Sequence, residues 1–435
     1  MGLPILRASQ QDFAARLAEF EGRRGSAQGF DAAVQQRVDE IIEAVRSGGD
    51  RALLELTERF DRCRLSPDRI RVSPEEIEAA ANSVPPALLD ALKLSAERIR
   101  IFQQSILLRD PKPIEAGGRC LSLRYGPVES AGLCVPGGTA SLASSVLMNA
   151  VPAAVARVRR IAMITPPRRD GSVSADRLAA AHVAGVSEVY RVGGAQGVAA
   201  LAFGTETIRP VDLIAGPGNA YVQLAKKAVL GRVGIDMIAG PSEVLVIADA
   251  EARPEWAAAE MLSQAEHHEG SAILLTDDAA LADAVARAVE EQTAVHASAQ
   301  EVRSHLDRYG LAVVTRSMNE CIELANRLAP EHLAIMARKA DEVGSLIRNA
   351  GAVFLGPYTP VAVGDYVAGP SHCLPTGATA RFSSGLTANT FLKSTSVIRY
   401  EREALEADAG SIGALAEAEG LEAHARSVQL RRAGK

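Results

Sequence analysis

Cysteine, aromatic residues and long apolar runs are all scarce in this chain of 435 residues. Its five cysteines lie far apart and form no C-x-x-C pair, which argues against a disulfide framework and favours a reducing compartment. No apolar segment is long enough to span a bilayer or to form the core of a signal peptide. We therefore expect a cytoplasmic protein without a membrane partner.

Charge of one sign is not in large excess either. The net charge is -6 and the basic residues are scattered, so the chain lacks the basic patch that nucleic acid would require. Apolar residues make up 47% of the chain although aromatic residues contribute only 4%. This composition is typical of an α/β protein with a core rich in Ala and Val, and the length predicts two or more domains.

The first third of the chain is predicted to be helical. Apolar residues recur at helical spacing from residue 31 to 46 and end at Gly48-Gly49. A second helix start is marked by Ser73, an N-cap residue, which is followed by Pro74 and by Glu76 in capping-box position. A long helix is expected from about residue 86 to 108.

After residue 120, short apolar strands alternate with Ala-rich helices, a pattern typical of a parallel sheet. Several strands end in glycine turns, where backbone amides can approach a phosphate or a ribose at a helix N-terminus. The turn from Gly216 to Asn219 begins like G-x-G-x-x-G, but Tyr221 occupies the position of the third glycine. A nucleotide site and plain strand-to-helix turns therefore both remain open. The expected strands cover residues 133–135, 160–164, 188–192, 212–215, 244–248, 273–275, 311–315 and 352–355.

Gln264 and His267 lie three residues apart in a predicted helix and should share one face. A Gln side chain is a poor metal ligand alone, so this pair matters only if other ligands converge on it. Asp365, His372 and His424 are candidates from later in the chain. His268 lies about 100° further round the helix and is expected to face solvent.

Glu331 and His332 follow a predicted helix and precede an apolar strand, so we place them on a turn at a sheet edge. The Glu could activate water and the His could accept a proton, because both groups can be tuned toward neutral pH. A capping carboxylate beside a surface His is the alternative. The glycine-rich loop at residues 364–377 is typical of functional loops and contains His372, whereas Cys373 is expected to be a core residue.

Taken together, these motifs closely resemble the histidinol dehydrogenase family over nearly the whole chain. The resemblance is carried by residues 192–196, 216–219, 240–246, 263–267, 329–333, 364–366, 380–386 and 419–424. It implies a zinc-containing, NAD-dependent enzyme that oxidises L-histidinol through L-histidinal to L-histidine, the last two steps of histidine biosynthesis.

The resemblance also implies a ligand set for one zinc ion per subunit. Gln264, His267 and Asp365 would bind it together with His424 from the other subunit, so a homodimer with shared active sites is expected. Two imidazoles, one carboxylate and one amide oxygen suit zinc and could also accept manganese or cobalt. The metal would mainly hold and orient the substrate.

By the same resemblance, His332 is the general base and Glu331 activates the water that attacks the aldehyde. Cys134 stands where the family usually has a Tyr that touches the cofactor. The predicted NAD contacts are Gln196, Asn219 and Cys134. The predicted substrate contacts are Ser242, Gln264, His267, His332, Asp365, His372, Glu419 and His424.

We expect an α/β fold with two related, incomplete Rossmann-like domains whose sheets are mainly parallel. Residues 30–132 and 240–385 would form a discontinuous domain for substrate and zinc, and residues 133–239 an inserted NAD domain. Residues 1–29 would form an N-terminal helical segment, and residues 386–435 a helical dimerisation tail exchanged in the dimer.

Two other functions are possible on the same residues. A related zinc dehydrogenase could oxidise another small alcohol, such as a sulfonated diol, but Glu419 and His424 match the part of the family that closes over histidinol. An inactive metal- or nucleotide-binding protein would not be expected to keep Glu331, His332 and every proposed ligand.

Overall fold

The computed structural model describes residues 3–26, 31–137, 142–267 and 270–433. The strands are β1 (Ile5–Arg7), β2 (Ile114–Ala116), β3 (Arg119–Pro127), β4 (Ser130–Cys134), β5 (Arg160–Ile164), β6 (Glu188–Tyr190), β7 (Leu213–Ala215), β8 (Gly234–Ile235), β9 (Glu243–Ala248), β10 (Ser271–Thr276), β11 (Gly310–Val314), β12 (His332–Met336), β13 (Ala352–Leu355) and β14 (Leu392–Tyr400).

Sixteen α-helices are described over the same ranges. They are α1 (Phe13–Ser26), α2 (Ala32–Asp61), α3 (Pro74–Ser83), α4 (Pro86–Ile106), α5 (Ala143–Val155), α6 (Ala175–Ala184), α7 (Gly194–Phe203), α8 (Ala220–Val229), α9 (Pro254–Ala265), α10 (Ala279–Ala294), α11 (Ala299–Tyr309), α12 (Met318–Leu328), α13 (Ala340–Ser345), α14 (Val361–Tyr366), α15 (Arg402–Ala418) and α16 (Glu422–Ala433). Within the described ranges, no helix is both long and apolar enough to cross a membrane.

Both large sheets belong to the first of two compact units, which comprises Met1–Ser105 and Glu129–Phe391. One sheet has five parallel strands in the order β6-β5-β4-β7-β8, and the other has six in the order β1-β11-β10-β9-β12-β13. If β1 is set aside and the strands of each sheet are numbered as they occur, both orders are 3-2-1-4-5. This is the order of a Rossmann-like sheet, and the prediction of an α/β fold with two parallel sheets is confirmed.

The strands of the six-stranded sheet are buried on both faces. Every residue of β9 is buried: Val244 and Val246 point into one hydrophobic cluster, and Leu245 and Ile247 into another. This arrangement is usual for parallel strands covered by helices on both sides. The N-terminal segment contributes to the second cluster through Leu6 of β1.

Two segments differ from the sequence-based expectation. The predicted N-terminal helical segment also contains β1, which extends the six-stranded sheet by pairing in parallel with β11. The helix α2 packs in the core of the five-stranded sheet through Val38, Ile41 and Val45, although residues 30–132 were assigned to the zinc domain. The proposed domain boundaries otherwise stay a prediction.

The second compact unit comprises Ile106–Val128 and Leu392–Lys435. Its antiparallel sheet has the order β14-β3-β2, and α15 and α16 follow β14. The Arg119 guanidinium on β3 binds the Asp408 carboxylate on α15 through two hydrogen bonds of 2.6 and 2.9 Å. The predicted helical tail contains α15 and α16, but it also contains the nine-residue strand β14, which the sequence pattern did not predict.

The predicted helix signals of the first unit are only partly confirmed. Ser73 caps α3 by accepting a hydrogen bond of 3.2 Å from the backbone N–H of Glu76, but the Glu76 carboxylate binds Arg191. The expected stop at Gly48-Gly49 is confirmed as a break: Gly49 is non-helical with a φ of 55°, and a second helical stretch of α2 follows after the kink.

Candidate active site

The carboxyl ends of β4, β6 and β7 surround a cavity of about 1030 Å³, which we call the larger pocket. Its lining includes Cys134, Pro136, Gln196, Pro217 and Asn219. In a sheet of this order, β4 and β7 flank the point where the strand order reverses, which is the usual ligand site of a Rossmann-like sheet. The position therefore favours a dinucleotide.

A buried ion pair holds the loop after β7 at this point. Lys226 and Asp236 lie 2.5 Å apart with side-chain exposures of 0% and 1%. The Lys226 ammonium donates to the carbonyl of Gly216 at 2.9 Å, and the Asp236 carboxylate accepts from the backbone N–H of Gly216 at 2.8 Å. Gly216 has a φ of 111°, and a Cβ there would collide with the carbonyl of Cys134, so only glycine fits.

All three predicted cofactor residues line the larger pocket. Gln196 is buried on α7, and Asn219 caps α8 by accepting a hydrogen bond of 3.2 Å from the N–H of Val222. The cap uses the Asn219 side-chain oxygen, so the side-chain nitrogen is the group that could donate to a ligand. Burial raises the pKa of the Cys134 thiol to about 12, which keeps it neutral and unreactive.

A second cavity of about 270 Å³, the smaller pocket, lies at the amino ends of β9 and β12. Its lining contains every predicted catalytic, metal and substrate residue of the first unit: Ser242, Gln264, His267, Glu331, His332, Asp365 and His372. Pro136 and Pro217 line both pockets. The two cavities are therefore neighbours, and a ligand in one can meet a ligand in the other.

The side chains of Glu331 and His332 both form hydrogen bonds with the backbone of one residue, Glu243. The Glu331 carboxylate accepts from the N–H of Glu243 at 2.8 Å and from the Ser242 hydroxyl at 2.7 Å. The His332 Nδ1–H donates to the carbonyl of Glu243 at 3.0 Å. The Glu243 carboxylate is itself held by a buried ion pair of 2.8 Å with Arg24 on α1.

The predicted position of Glu331 and His332 needs correction. They were placed on a turn at a sheet edge, but His332 begins β12, which lies between β9 and β13. Only 6% of Glu331 and 3% of His332 is exposed, which also excludes a capping carboxylate beside a surface His. The pair is buried because β12 is an interior strand.

Because Nδ1 of His332 is engaged in a hydrogen bond, Nε2 is the ring nitrogen that can react in the smaller pocket. Nε2 is buried, has no hydrogen-bond partner within the described ranges, and lies 3.7 Å from a carboxylate oxygen of Asp365. Burial disfavours the charged imidazole, but the Glu331 and Asp365 carboxylates outweigh it and raise the pKa of His332 to about 10. Nε2 is thus the nitrogen available for proton transfer.

The three candidate metal ligands of the first unit present suitable donor atoms. Gln264 is 2% exposed, and its side-chain oxygen is buried without a hydrogen-bond partner among the described residues. Burial opposes ionisation of Asp365, but His332 and other nearby imidazoles outweigh it and lower the pKa of this carboxyl. The His267 Nδ1–H donates to the carbonyl of Ser263 at 3.0 Å, which leaves Nε2 for a ligand.

His267 is not on the helix face predicted for it. The helix α9 ends at Ala265, and His267 lies in the turn that follows, where its backbone N–H bonds to the carbonyl of Gln264 at 3.0 Å. The described ranges contain no group of three or more His, Cys, Asp and Glu side chains that could hold a metal ion. A metal in the smaller pocket therefore depends on the amide of Gln264 and on a further ligand.

His372 makes two hydrogen bonds inside the chain. Its Nδ1–H donates to the carbonyl of Asp365 at 3.1 Å, and its Nε2 accepts from the Ser145 hydroxyl at 3.1 Å. Burial lowers the pKa of His372, so the ring is neutral. This arrangement orients the Asp365 backbone, and its substrate contact stays a prediction.

Glu419 and His424 belong to the second unit, where both side chains are exposed. Their roles in the site stay predictions. The expectation that His268 faces solvent falls outside the described residues.

The sequence-based search missed several residues around the two pockets. Lys226 was detectable as a charged residue on the buried side of α8, and Glu243 as a carboxylate at the start of an apolar strand. Ser145 and Arg24 gave no local signal, because their partners lie more than 200 positions away in the sequence.

Comparison with known proteins agrees with this geometry. The family described as histidinol dehydrogenase matches residues 25–432. The chain is 50% identical over 395 residues to histidinol dehydrogenase of Prochlorococcus marinus (strain MIT 9313), covering 91% of this chain and 89% of that protein. It is 47% identical over 428 residues to the enzyme of Brucella suis biovar 1 (strain 1330), covering 98% of both.

A solved structure is similar over the same extent. The crystal structure of histidinol dehydrogenase from Elizabethkingia anophelis superposes with a TM-score of 0.91 at 35% sequence identity, covering 99% of this chain and 98% of that one. The chain therefore belongs to the histidinol dehydrogenase family, the oxidoreductases of histidine biosynthesis.

Proposed function

We propose that this chain oxidises L-histidinol through L-histidinal to L-histidine, with NAD in the larger pocket and zinc in the smaller one. The observation that carries the proposal is the buried pair Glu331 and His332, which opens into a pocket adjoining the dinucleotide site. Two proton acceptors, a carboxylate and an imidazole, fixed on the backbone of one residue are suited to two successive oxidations that each release protons.

Gln264, His267 and Asp365 would hold the metal, and His424 of the partner subunit would complete its ligand set. The unpartnered oxygen of Gln264 and the lowered pKa of Asp365 support this assignment, because both atoms are ready acceptors for a cation. When bound, zinc orients the amine and imidazole of the substrate, and NAD accepts a hydride in each oxidation.

His332 is assigned the proton transfers. Its Nδ1–H is engaged with the carbonyl of Glu243, so Nε2 is positioned to take the hydroxyl proton of histidinol and, later, that of the aldehyde hydrate. In the chain alone, the Asp365 carboxylate contributes to the raised pKa of His332. A cation at Asp365 would offset that negative charge, which favours the neutral imidazole that a base requires.

Glu331 is assigned the activation of water. Its two hydrogen bonds with Ser242 and Glu243 converge on the same oxygen, Oε2. The other carboxylate oxygen is left to accept a proton from a water that attacks the aldehyde carbon. Because hydration of the aldehyde belongs only to the second oxidation, the two residues have separable roles.

The larger pocket is assigned to NAD, with Gln196, Asn219 and Cys134 as its contacts. Hydride transfer needs the nicotinamide next to the substrate, and the shared walls Pro136 and Pro217 mark where the two ligands can meet. Glu419 and His424 are assigned to the site of a partner subunit in a homodimer, a role compatible with their exposure in a single chain.

The test is to incubate the purified, zinc-loaded protein with L-histidinol and to count NADH formed per molecule of substrate consumed. Two NADH per histidine is the expected result. No turnover, or one NADH with release of the aldehyde, would contradict the proposal. A parallel assay with a sulfonated diol checks whether another small alcohol is preferred.

A further inference from the structure

A carboxylate with one buried oxygen that has no partner among the described residues lines the larger pocket on the side formed by α2. Asp61 is the last residue of α2, and its Oδ2 is buried without a hydrogen-bond partner among the described residues. Burial raises the pKa of Asp61 to about 6. A desolvated carboxylate costs free energy unless a ligand donates hydrogen bonds to it.

The usual acidic residue of a dinucleotide site is missing from its usual place. In a Rossmann-like sheet an acidic residue about 20 positions after the glycine turn, at the end of the second strand, binds the ribose 2′-hydroxyl in NAD enzymes. Here the second strand is β5, and the residues after it are Thr165, two prolines, and the exposed Arg168 and Arg169. Arginine at such a position is typical of sites for the 2′-phosphate of NADP.

Asp61 lies in the part of the pocket available to the adenosine half of the cofactor. The nicotinamide must lie near Pro136 and Pro217, which are shared with the smaller pocket, whereas Asp61 lines the larger pocket alone. Its neighbour Phe60 also lines the larger pocket and is 45% exposed. An exposed aromatic ring beside a carboxylate suits a purine that stacks and a ribose that donates hydrogen bonds.

We propose that Asp61 binds the hydroxyls of the adenosine ribose and selects NAD over NADP. The free 2′-hydroxyl donates to the carboxylate, whereas a 2′-phosphate in its place brings two negative charges together away from water. Arg168 and Arg169 line the same pocket and attract a 2′-phosphate, so the titration below compares their attraction for NADP with its repulsion by Asp61. The assignment rests on the proposed function, since it presumes that a dinucleotide occupies the larger pocket.

The experiment is isothermal titration of the zinc-loaded protein with NAD and with NADP, in the absence of substrate. Asp61→Asn and Asp61→Ala are compared with the wild type and with Glu58→Gln, which removes a charge from an exposed position of the same helix. Loss of the charged acceptor should weaken NAD binding about tenfold. NADP binding should stay unchanged or tighten, so the preference for NAD shrinks in both Asp61 variants and persists in Glu58→Gln.

Every other outcome contradicts the role proposed for Asp61. If the Asp61 variants bind NAD as the wild type does, or lose NAD and NADP affinity by the same factor, Asp61 does not discriminate. If the wild type already binds NADP as tightly as NAD, there is no selectivity to assign. If the folded wild type binds neither, the dinucleotide site of the proposed function fails as well, which separates the two failures. Because burial raises the pKa of Asp61 and its Oδ2 has no hydrogen-bond partner among the described residues, both variants should melt at or above the wild-type temperature near neutral pH.

Discussion

The two parallel sheets share one strand order but place their pockets at opposite ends. In the five-stranded sheet the larger pocket lies at the carboxyl ends of the strands, as the order predicts. In the six-stranded sheet the smaller pocket lies at the amino ends, where Ser242 precedes β9 and His332 begins β12. Strand order therefore determines a possible site, and the residues at the turns decide which end is used.

The carboxyl end of the six-stranded sheet is unsuited to a phosphate-containing ligand. A cavity of about 320 Å³ lies there, lined in part by Asp249, Asp277 and Arg338. The Asp249 carboxylate already accepts from the N–H groups of Arg338 at 2.7 Å and Glu251 at 3.0 Å. These are the backbone donors that a phosphate would need, and the acidic side chains would repel it.

The largest effect on activity should come from substituting the proposed base, which lies in the six-stranded sheet. His332→Asn should slow both oxidations about 1,000-fold, because a positioned general base contributes on that scale. NAD affinity, which is proposed to depend on the five-stranded sheet, should change less than about twofold. Steady-state rates and isothermal titration measure the two quantities, and a parallel loss of NAD affinity would show that the pockets are not separable.

Breaking the buried pair of Lys226 and Asp236, which holds Gly216 and lines the smaller pocket through Asp236, should cost the most stability. Lys226→Met leaves Asp236 buried without its cation, which should lower the free energy of unfolding by about 3 kcal/mol. The double variant Lys226→Met, Asp236→Leu should recover part of that loss, since no unpaired charge remains. Urea titrations of both variants measure the difference, and equal losses would mean that packing, not charge, dominates there.

Within the smaller pocket, substitution should distinguish the roles of Glu331 and His332, the two residues that bond to the backbone of Glu243. Glu331→Gln should slow aldehyde oxidation about 100-fold and alcohol oxidation much less, because only the aldehyde needs an activated water. Separate assays with histidinol and histidinal give the two rates. Equal losses in both half-reactions would remove the assigned role of Glu331.

The smaller pocket is also proposed to need a second protomer, whereas the larger pocket is not. His424→Ala should lower zinc affinity about tenfold in the dimer, since the site would lose one of its four proposed protein ligands and water would replace it. Glu422→Ala, which alters an exposed residue of the same helix, is the matched control. Unchanged metal content in His424→Ala would make the ligand assignment across subunits wrong.

The smallest effect is expected at the carboxyl end of the six-stranded sheet. Arg338 and Glu251 form an exposed ion pair of 3.4 Å, and such pairs contribute at most about 1 kcal/mol. Arg338→Ala should therefore leave both turnover and NAD affinity unchanged. A clear loss of either would mean that this end of the sheet takes part in function after all.

Local sequence patterns predicted the elements whose signals are short-range. Ser73 as a cap and the glycine-terminated strands of the parallel sheets depend on residues within one or two turns of each other. The strands β1, β2, β3, β8 and β14 were missed, because strands of two or three residues have no measurable period and β14 pairs with β3, about 270 positions earlier. Pairing over such separations is a property of the tertiary fold.

The sequence by itself determined the residue types of the site: an amide and an imidazole three positions apart, an adjacent Glu and His, and the family to which they belong. It did not determine their surroundings. Only the tertiary structure placed the Nε2 of His332 3.7 Å from a carboxylate oxygen of Asp365. It also brought the Glu331 carboxylate into a hydrogen bond with the backbone N–H of Glu243. Burial and hydrogen bonding between distant segments set these distances, and local spacing carries no information about them.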